Sequence, residues 1–542
     1  MMSAQATYNK VLIPLVAGAA IALGLLIGSF TSGNGKVSGK TKSDKIRDIL
    51  KYIEAEYVDT INPGELEDEA VVSLLQQLDP HSSYIPASEL EQMKEPLEGN
   101  FDGIGIEFNI QRDTIMVVAA ISGGPSESLG IRSGDRIVAI EGKNVAGNGI
   151  RNEQVVKQLR GKSGTKVKVG VFRPSIKRTR EYTITRGKIP LYSLDAHHII
   201  SKDIGYIRIS RFSATTFEEY QKAFKELKAQ GMRKLILDLR DNPGGFLNAA
   251  VSLSDEFLAS GKKIVYTQGK ARKREDFNAT SQGKFETGSL AVLIDEGSAS
   301  ASEIVAGAVQ DNDRGWIIGR RSFGKGLVQE EVQFDDGSAM RLTIARYYTP
   351  TGRCIQRPYQ KGKEAYYHEL ADRYSNGEME HPDTLQHDSI AYKTPSGRVV
   401  YGGGGIMPDI FVAIDTSGYS GFVTEIASGG HFSTYTFAFA DEHRKQIMAA
   451  YPDAGVFAQK YDANALVTGF YQYLDKQGVK QPLHLKSNSS EFMLTQLKAM
   501  LARNLYGYNG YYQVASATDK TVRKAIEVLE SGKVVTAEPN KK

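Results

Sequence analysis

Cysteine is almost absent from this 542-residue chain: Cys354 stands alone. A single thiol excludes an internal disulfide and any thiolate metal cluster, and no ordered Cys–His motif surrounds it. Charge of one sign is lacking too. A formal net charge of +4 denies the chain the concentrated basic face that nucleic-acid binders need. No His/Asp/Glu cluster has metal-ligand spacing, and there is no internal repeat. None of the nine histidines lies among triad chemistry; His197 and His198 sit between apolar residues at a strand edge. The expectation is therefore no metal, no cofactor and no nucleic acid. Apolar residues make up 41% and charged residues 24% of the chain. That balance excludes wholesale disorder, and the length suffices for two or more domains with their own cores.

A long apolar run occurs at one place, the twenty uncharged residues 11–30. As a helix they would cover about 30 Å, the hydrocarbon thickness of a bilayer. This reads as a single-pass signal anchor after a short tail (1–10), with a cleaved signal peptide as the alternative. Lys10 precedes the run while Lys36, Lys40, Lys42 and Lys45 follow it, against the positive-inside tendency. Large folded domains translocate largely regardless of charge, so the bulk is expected outside the cytoplasm: a cell-membrane protein with a periplasmic catalytic part.

Beyond a Gly/Ser/Lys-rich linker (31–44), helical spacing predicts a small helical region over 45–98 with no visible chemistry. Short alternating strands interrupted by one helix follow over 99–188. Strand and helix then alternate through 189–416: strands at 204–209, 235–239 and 290–294, helices at 216–230, 247–258 and 301–309. That pattern argues an α/β layer with a mostly parallel sheet. Residues 417–542 form a mixed or helical extension whose role is open: docking a partner, self-assembly or capping the sheet. The fold class is thus multidomain α/β.

Three segments carry candidate chemistry. Residues 290–304 run from a buried strand through Gly-Ser-Ala-Ser-Ala-Ser-Glu-Ile (297–304) into an apolar helix. A serine there meets unpaired N–H groups and the positive end of the helix dipole, donors able to stabilise an oxyanion. On local chemistry alone Ser298, Ser300 and Ser302 read as helix caps. Second, Ser-Phe-Gly-Lys-Gly-Leu-Val-Gln (322–329) sets Lys325 among apolar neighbours, where desolvation lowers a lysine pKa from about 10.4; a solvated turn is the bland reading. Gly319 to Lys325 mimics a P-loop, but Gly326 stands where Mg²⁺ binding needs Ser or Thr. Ser322 and Lys325 also fit a Ser-x-x-Lys pair, which needs a helix that Gly324 and Gly326 disfavour. Third, consecutive glycines in Asp-Leu-Arg-Asp-Asn-Pro-Gly-Gly (238–245) suit either an anion-binding nest or a plain turn.

In this order and spacing the three segments resemble the C-terminal processing peptidases, also called tail-specific proteases. Leu-Asp-Pro-His-Ser-Ser-Tyr (78–84) joins the match, which runs from about residue 45 to 415. The resemblance implies a serine endopeptidase with Ser300 as nucleophile, Lys325 as general base and Gln329 orienting the lysine. It further implies an oxyanion hole from the N–H of Ala301 and of Gly245 or Gly244. Glu303, one turn beyond Ser300, is expected to support them. In a regular strand Lys325 and Gln329 would lie about 13 Å apart, so their contact calls for a bend, which Gly326 could supply. The resemblance also reads 99–188 as a PDZ domain whose loop Gly103, Ile104, Gly105, Ile106 receives a substrate's terminal carboxylate; Pro125, Gly130, Gly134, Asp135 and Ile137 fit the later signature. Arg160 falls where some relatives couple PDZ position to activity. Expected partners are proteins with free C-terminal tails and the membrane, with a homo-oligomer or adaptor partner left open. The alternative is a membrane-tethered PDZ adaptor with an inactive protease-like domain.

Overall fold

The computed structural model describes residues 44–111, 113–381, 390–533 and 535. The apolar run 11–30 and its flanking tail lie outside them, and no helix of the described residues is long and apolar enough to cross a membrane. The chain divides into two compact units, residues 1–71 and 72–542. The first contributes helix Asp44–Glu56 and the start of helix Pro63–Gln76.

The centre of the second unit is a six-stranded sheet. In spatial order it runs Leu194–Ser201, Ile204–Ile209, Lys234–Asp238, Ser289–Ile294, Trp316–Gly319, Ile410–Phe411. Its first pair is antiparallel and the rest are parallel, so the sheet is mostly parallel, as the strand–helix alternation predicts. Strands of such a sheet bury side chains on both faces. One face (Ile207, Leu235, Leu237, Val292) packs against helices Thr216–Ala229, Leu247–Asp255 and Ala301–Asp311 through Tyr220, Leu227, Leu253 and Val305. The other (Tyr206, Ile236, Leu293, Ile318) packs against Val522, Ala525, Val528 and Leu529 of helix Lys520–Glu530. The last helix of the C-terminal extension thus caps the sheet. The remaining helices of that extension, from Gly421–Ser428 to Ser487–Ala515, gather around their own core of Phe432, Phe457, Phe470 and Leu497.

An antiparallel sheet built on the long strand Ala339–Tyr348 stands beside the first. It takes in Leu327–Gln333, Lys263–Gln268, Glu275–Asn278 and Ser83–Ile85. The last of these adds a short strand to the otherwise helical region 45–98, just before helix Ala87–Glu98. Tyr84 and Ile85 alternate partly buried and buried side chains against Met340 and Ala339, a long-range pairing no helical period could announce.

Residues 106–185 form a second antiparallel sheet in the order Ile106–Gln111, Thr114–Ala120, Arg136–Ile140, Lys166–Arg173, Arg178–Thr185. Helix Asn152–Leu159 closes its core through Val155 and Leu159. Entering strand Asn100–Gly103 pairs with leaving strand Gly187–Pro190, so the chain enters and leaves the sheet through one two-stranded neck.

Candidate active site

Strand Ser289–Ile294 ends in a turn of small residues that delivers Ser300 to the N-cap of helix Ala301–Asp311. Its three serines have different fates. Ser298 Oγ donates to Leu239 O (2.8 Å) and Ser302 Oγ to Asn242 O (2.9 Å); both are fully buried and tie this turn to the loop after Lys234–Asp238. Ser300 alone stays partly exposed, on a cleft of about 1200 Å³. Its backbone is at φ 53°, ψ −110°, a region sparsely populated for a residue with a Cβ.

The glycine pair packs directly against it. A Cβ on Gly244 would lie 2.8 Å from Ser300 Cβ, and one on Gly245 1.9 Å from Phe212 O, at φ values of 96° and 146°. The structure separates the two donors. Gly244 N–H already donates to Asn242 Oδ1 (2.9 Å), and the missing Cβ leaves clearance for the serine. The N–H groups of Gly245 and Ala301 donate to nothing among the described residues.

Lys325 lines the same cleft. Burial, and after it the Arg341 guanidinium, holds its ammonium below the ordinary lysine range, while Glu303 and Asp79 pull the other way. Lys325 Nζ donates to Gln329 Oε1 (3.0 Å), and Gln329 Nε2 donates to the carbonyl of His81 (2.6 Å). The distance objection fails because Lys325 precedes strand Leu327–Gln333, and the strand's register slips between Val328 and Gln329. Gly326 is needed for a close approach instead, since a Cβ there would sit 2.9 Å from Gln356 N. Among the described residues no hydrogen bond joins Ser300 Oγ to Lys325 Nζ.

Glu303 binds the two segments together. Its carboxylate accepts from Ser300 N (2.8 Å), Ser322 Oγ (2.5 Å), Gly324 N (2.7 Å) and Lys325 N (2.9 Å). Burial pushes it up to about 7 despite these four donors. Ser322 is fully buried, donating to Glu303 and accepting from Ile406 N (2.6 Å). It lies in a loop, so the Ser-x-x-Lys pairing has neither its helix nor a free hydroxyl. The fully buried phenol of Tyr347 donates to both Lys325 O (2.5 Å) and Ser300 O (3.1 Å).

Sequence reasoning missed Tyr347 and Arg341, and assigned no chemistry to residues 78–84. Asp79 holds Ser82 and Thr343, and His81 supplies the carbonyl that orients Gln329. Burial and then Lys325 lower the imidazole to about 4. For Asp79 and His81 the signal was Leu-Asp-Pro-His-Ser-Ser-Tyr (78–84), which joined the family resemblance.

In the 106–185 sheet, Ile104 O accepts from Ser126 N (3.1 Å) and Ser126 Oγ (2.6 Å), and Gly105 O accepts from Ile121 N (2.9 Å). A trans peptide sets C=O and the next N–H on opposite sides, so the N–H groups of Gly105 and Ile106 point away from that turn. They stand at the start of Ile106–Gln111, an edge strand whose other side is unpaired among the described strands. Arg160 pairs with Glu95, lies 4.6 Å from the Phe101 ring centroid, and so ties the end of helix Asn152–Leu159 to helix Ala87–Glu98. Lys94 of that same helix lines the cleft and pairs with Glu331 (3.0 Å), which in turn meets Arg341 (3.3 Å).

Comparison with known proteins bears on this geometry. Residues 203–362 match the model of peptidase family S41, residues 103–184 that of a PDZ domain, and residues 422–507 a family of unknown function. A carboxy-terminal-processing protease of Bartonella bacilliformis is 37% identical over 350 residues, 63% of this chain and 79% of the relative. The chain belongs to the carboxy-terminal processing proteases. It is a serine-type endopeptidase of family S41 with a PDZ domain. The carboxy-terminal processing protease CtpA of Bacillus subtilis is 34% identical over 349 residues, 64% of this chain and 74% of the relative. A solved photosystem II D1 C-terminal processing protease is 27% identical, covering 69% of this chain and 87% of its own at a TM-score of 0.37.

Proposed function

We propose that this family member docks the free C-terminal tail of a protein substrate on the Gly103, Ile104, Gly105, Ile106 loop and cleaves it by a Ser–Lys mechanism. The terminal carboxylate is received by the outward N–H groups of Gly105 and Ile106, and the tail adds as a strand beside Ile106–Gln111. Ser300 Oγ attacks the scissile carbonyl carbon while its proton passes to neutral Lys325 Nζ. The N–H groups of Ala301 and Gly245 hold the oxyanion. As the C–N bond breaks, the ammonium returns the proton to the leaving amine. Water, deprotonated by Lys325, then hydrolyses the acyl-enzyme and frees Ser300. Gln329 keeps the amine directed into the cleft. Hydrogen bonds between catalytic groups are often long in an empty site and tighten on docking, which is the step assigned here to Ser300 and Lys325.

The observation that carries this reading is the partial burial of Lys325 on the cleft that exposes Ser300. Its lowered pKa has a measurable consequence. A base works deprotonated, so kcat/KM is expected to rise with pH and level off before the range of an ordinary lysine. Arg341→Gln takes away a cation that disfavours the ammonium, so the rising limb should move to higher pH. A limb unmoved in this variant would reject Lys325 as the titrating base, and one found only near pH 10 would reject the lowering of its pKa by burial.

Arg160 is proposed to transmit PDZ position to the cleft through helix Ala87–Glu98. Arg160→Ala should leave tail binding within about twofold while reducing the tail-dependent gain in turnover about tenfold, an effect of roughly 1.4 kcal/mol. Unchanged activation by tail peptides would sink the coupling.

A further inference from the structure

The helical module that contains residues 422–507 has no role in the mechanism above, yet it lies against the tail-binding strand. Arg503 of helix Ser487–Ala515 pairs with Glu107, the residue directly after Ile106. The same guanidinium donates to Tyr508 Oη (2.9 Å) and lies 4.6 Å from the Tyr508 ring centroid. Beside this pair is a cavity of about 180 Å³. Phe108, Met116 and Val118 of the PDZ sheet wall it on one side, Phe437 and Met500 of the module on the other. Thr436 and Asn504, which also line it, are hydrogen-bonded to each other (3.4 Å).

Strand geometry says which part of a docked tail meets this feature. Directly opposite residues of an antiparallel pair project on the same face, and neighbours along a strand on opposite faces. With its carboxylate at Gly105 and Ile106, a tail sets its last side chain on the face of Ile106, which packs against the PDZ core. Its penultimate side chain then falls on the face of Glu107, where Arg503 and the cavity stand.

We infer that the C-terminal module forms a second specificity pocket, which reads the penultimate side chain of the substrate tail and favours a long apolar one such as leucine. A cavity of about 150 Å³ holds a benzene ring, so the volume suffices. Glu107 and Arg503 in its lining already neutralise each other, so a charged side chain of either sign gains a partner only by breaking that pair. This inference rests on the tail docking proposed above and adds a contact to it.

The test uses the full-length chain carrying Ser300→Ala, so that peptides bind without turnover. Labelled tail peptides with free carboxylates, identical except for penultimate Gly, Leu, Glu or Lys, are titrated by fluorescence anisotropy alongside an amidated Leu peptide. The Leu tail should bind about tenfold tighter than the other three, as expected for burying most of an apolar side chain. Adding Met500→Trp, which fills the cavity, should erase that preference and leave the Gly tail within about twofold. Adding Met500→Ala, which enlarges it, should move the preference toward a penultimate Phe. Four equal affinities, a Leu preference that survives Met500→Trp, or an equal loss for every tail in both Met500 variants would overturn the pocket; the last would make the module a brace only. Equal binding of free and amidated Leu peptides would instead overturn carboxylate docking itself.

Discussion

Ser300→Ala and Lys325→Ala should each abolish cleavage of an unfolded protein bearing a free C-terminal tail. Loss of a nucleophile costs about 10⁴–10⁶-fold in serine proteases whose catalytic groups act as a unit, and loss of a general base about 10²–10⁴-fold. The two losses should not add, because neither residue does its work without the other. Ser322→Ala separates this pair from its neighbour. The Ser322 hydroxyl is fully buried between Glu303 and Ile406 N, so its removal should lower stability and leave acyl-enzyme formation at Ser300 detectable by mass spectrometry. Retained turnover in both Ser300→Ala and Lys325→Ala, or an acyl group found on Ser322, would reject the assignment.

The largest effect on stability is expected at Glu303. Its carboxylate is the shared acceptor of three backbone N–H groups and one hydroxyl. Glu303→Ala leaves four donors with little access to water, and each orphaned donor costs about 1–3 kcal/mol. Allowing for relaxation, a loss of about 3–5 kcal/mol from the protease core is expected, read as a lower urea midpoint. A change under about 1 kcal/mol would contradict the cross-linking role. The sign of the pH dependence follows from the raised pKa. The free carboxyl titrates near 4.5 and the folded one near 7, so between these values the native state holds more protons than the unfolded one. Stability from this group is therefore complete below about 4.5 and falls as pH rises toward 7. Glu303→Gln, which cannot titrate, should flatten that slope.

Much of the candidate site was legible in the chain because its chemistry is local. Ser300 and Ala301 follow one strand, Gly244 and Gly245 another, and Lys325 and Gln329 share one short segment. Each segment alone reads as a cap or a turn, and their order is what carried the family resemblance. The loop Gly103 to Ile106 was legible for the same reason, since its donors are consecutive backbone groups. Less legible were groups joined across long separations. Gln329 is fixed by His81 across 248 residues, and Glu107 meets Arg503 across 396. Neither contact leaves a periodic or spaced signal.

By itself, then, the sequence determined the alternation that builds a mostly parallel sheet, the residue types able to perform acyl transfer, and the exclusion of thiolate clusters. Tertiary structure alone decided which of three serines stays partly exposed on the cleft, which of two glycines keeps an N–H without a partner among the described residues, and that the last described helix caps the sheet. It also decided that the C-terminal module faces the edge strand Ile106–Gln111. The physical reason is common to these cases. Side-chain chemistry belongs to a residue, whereas burial and the spending of a donor on a partner belong to a packed arrangement of segments distant in the chain.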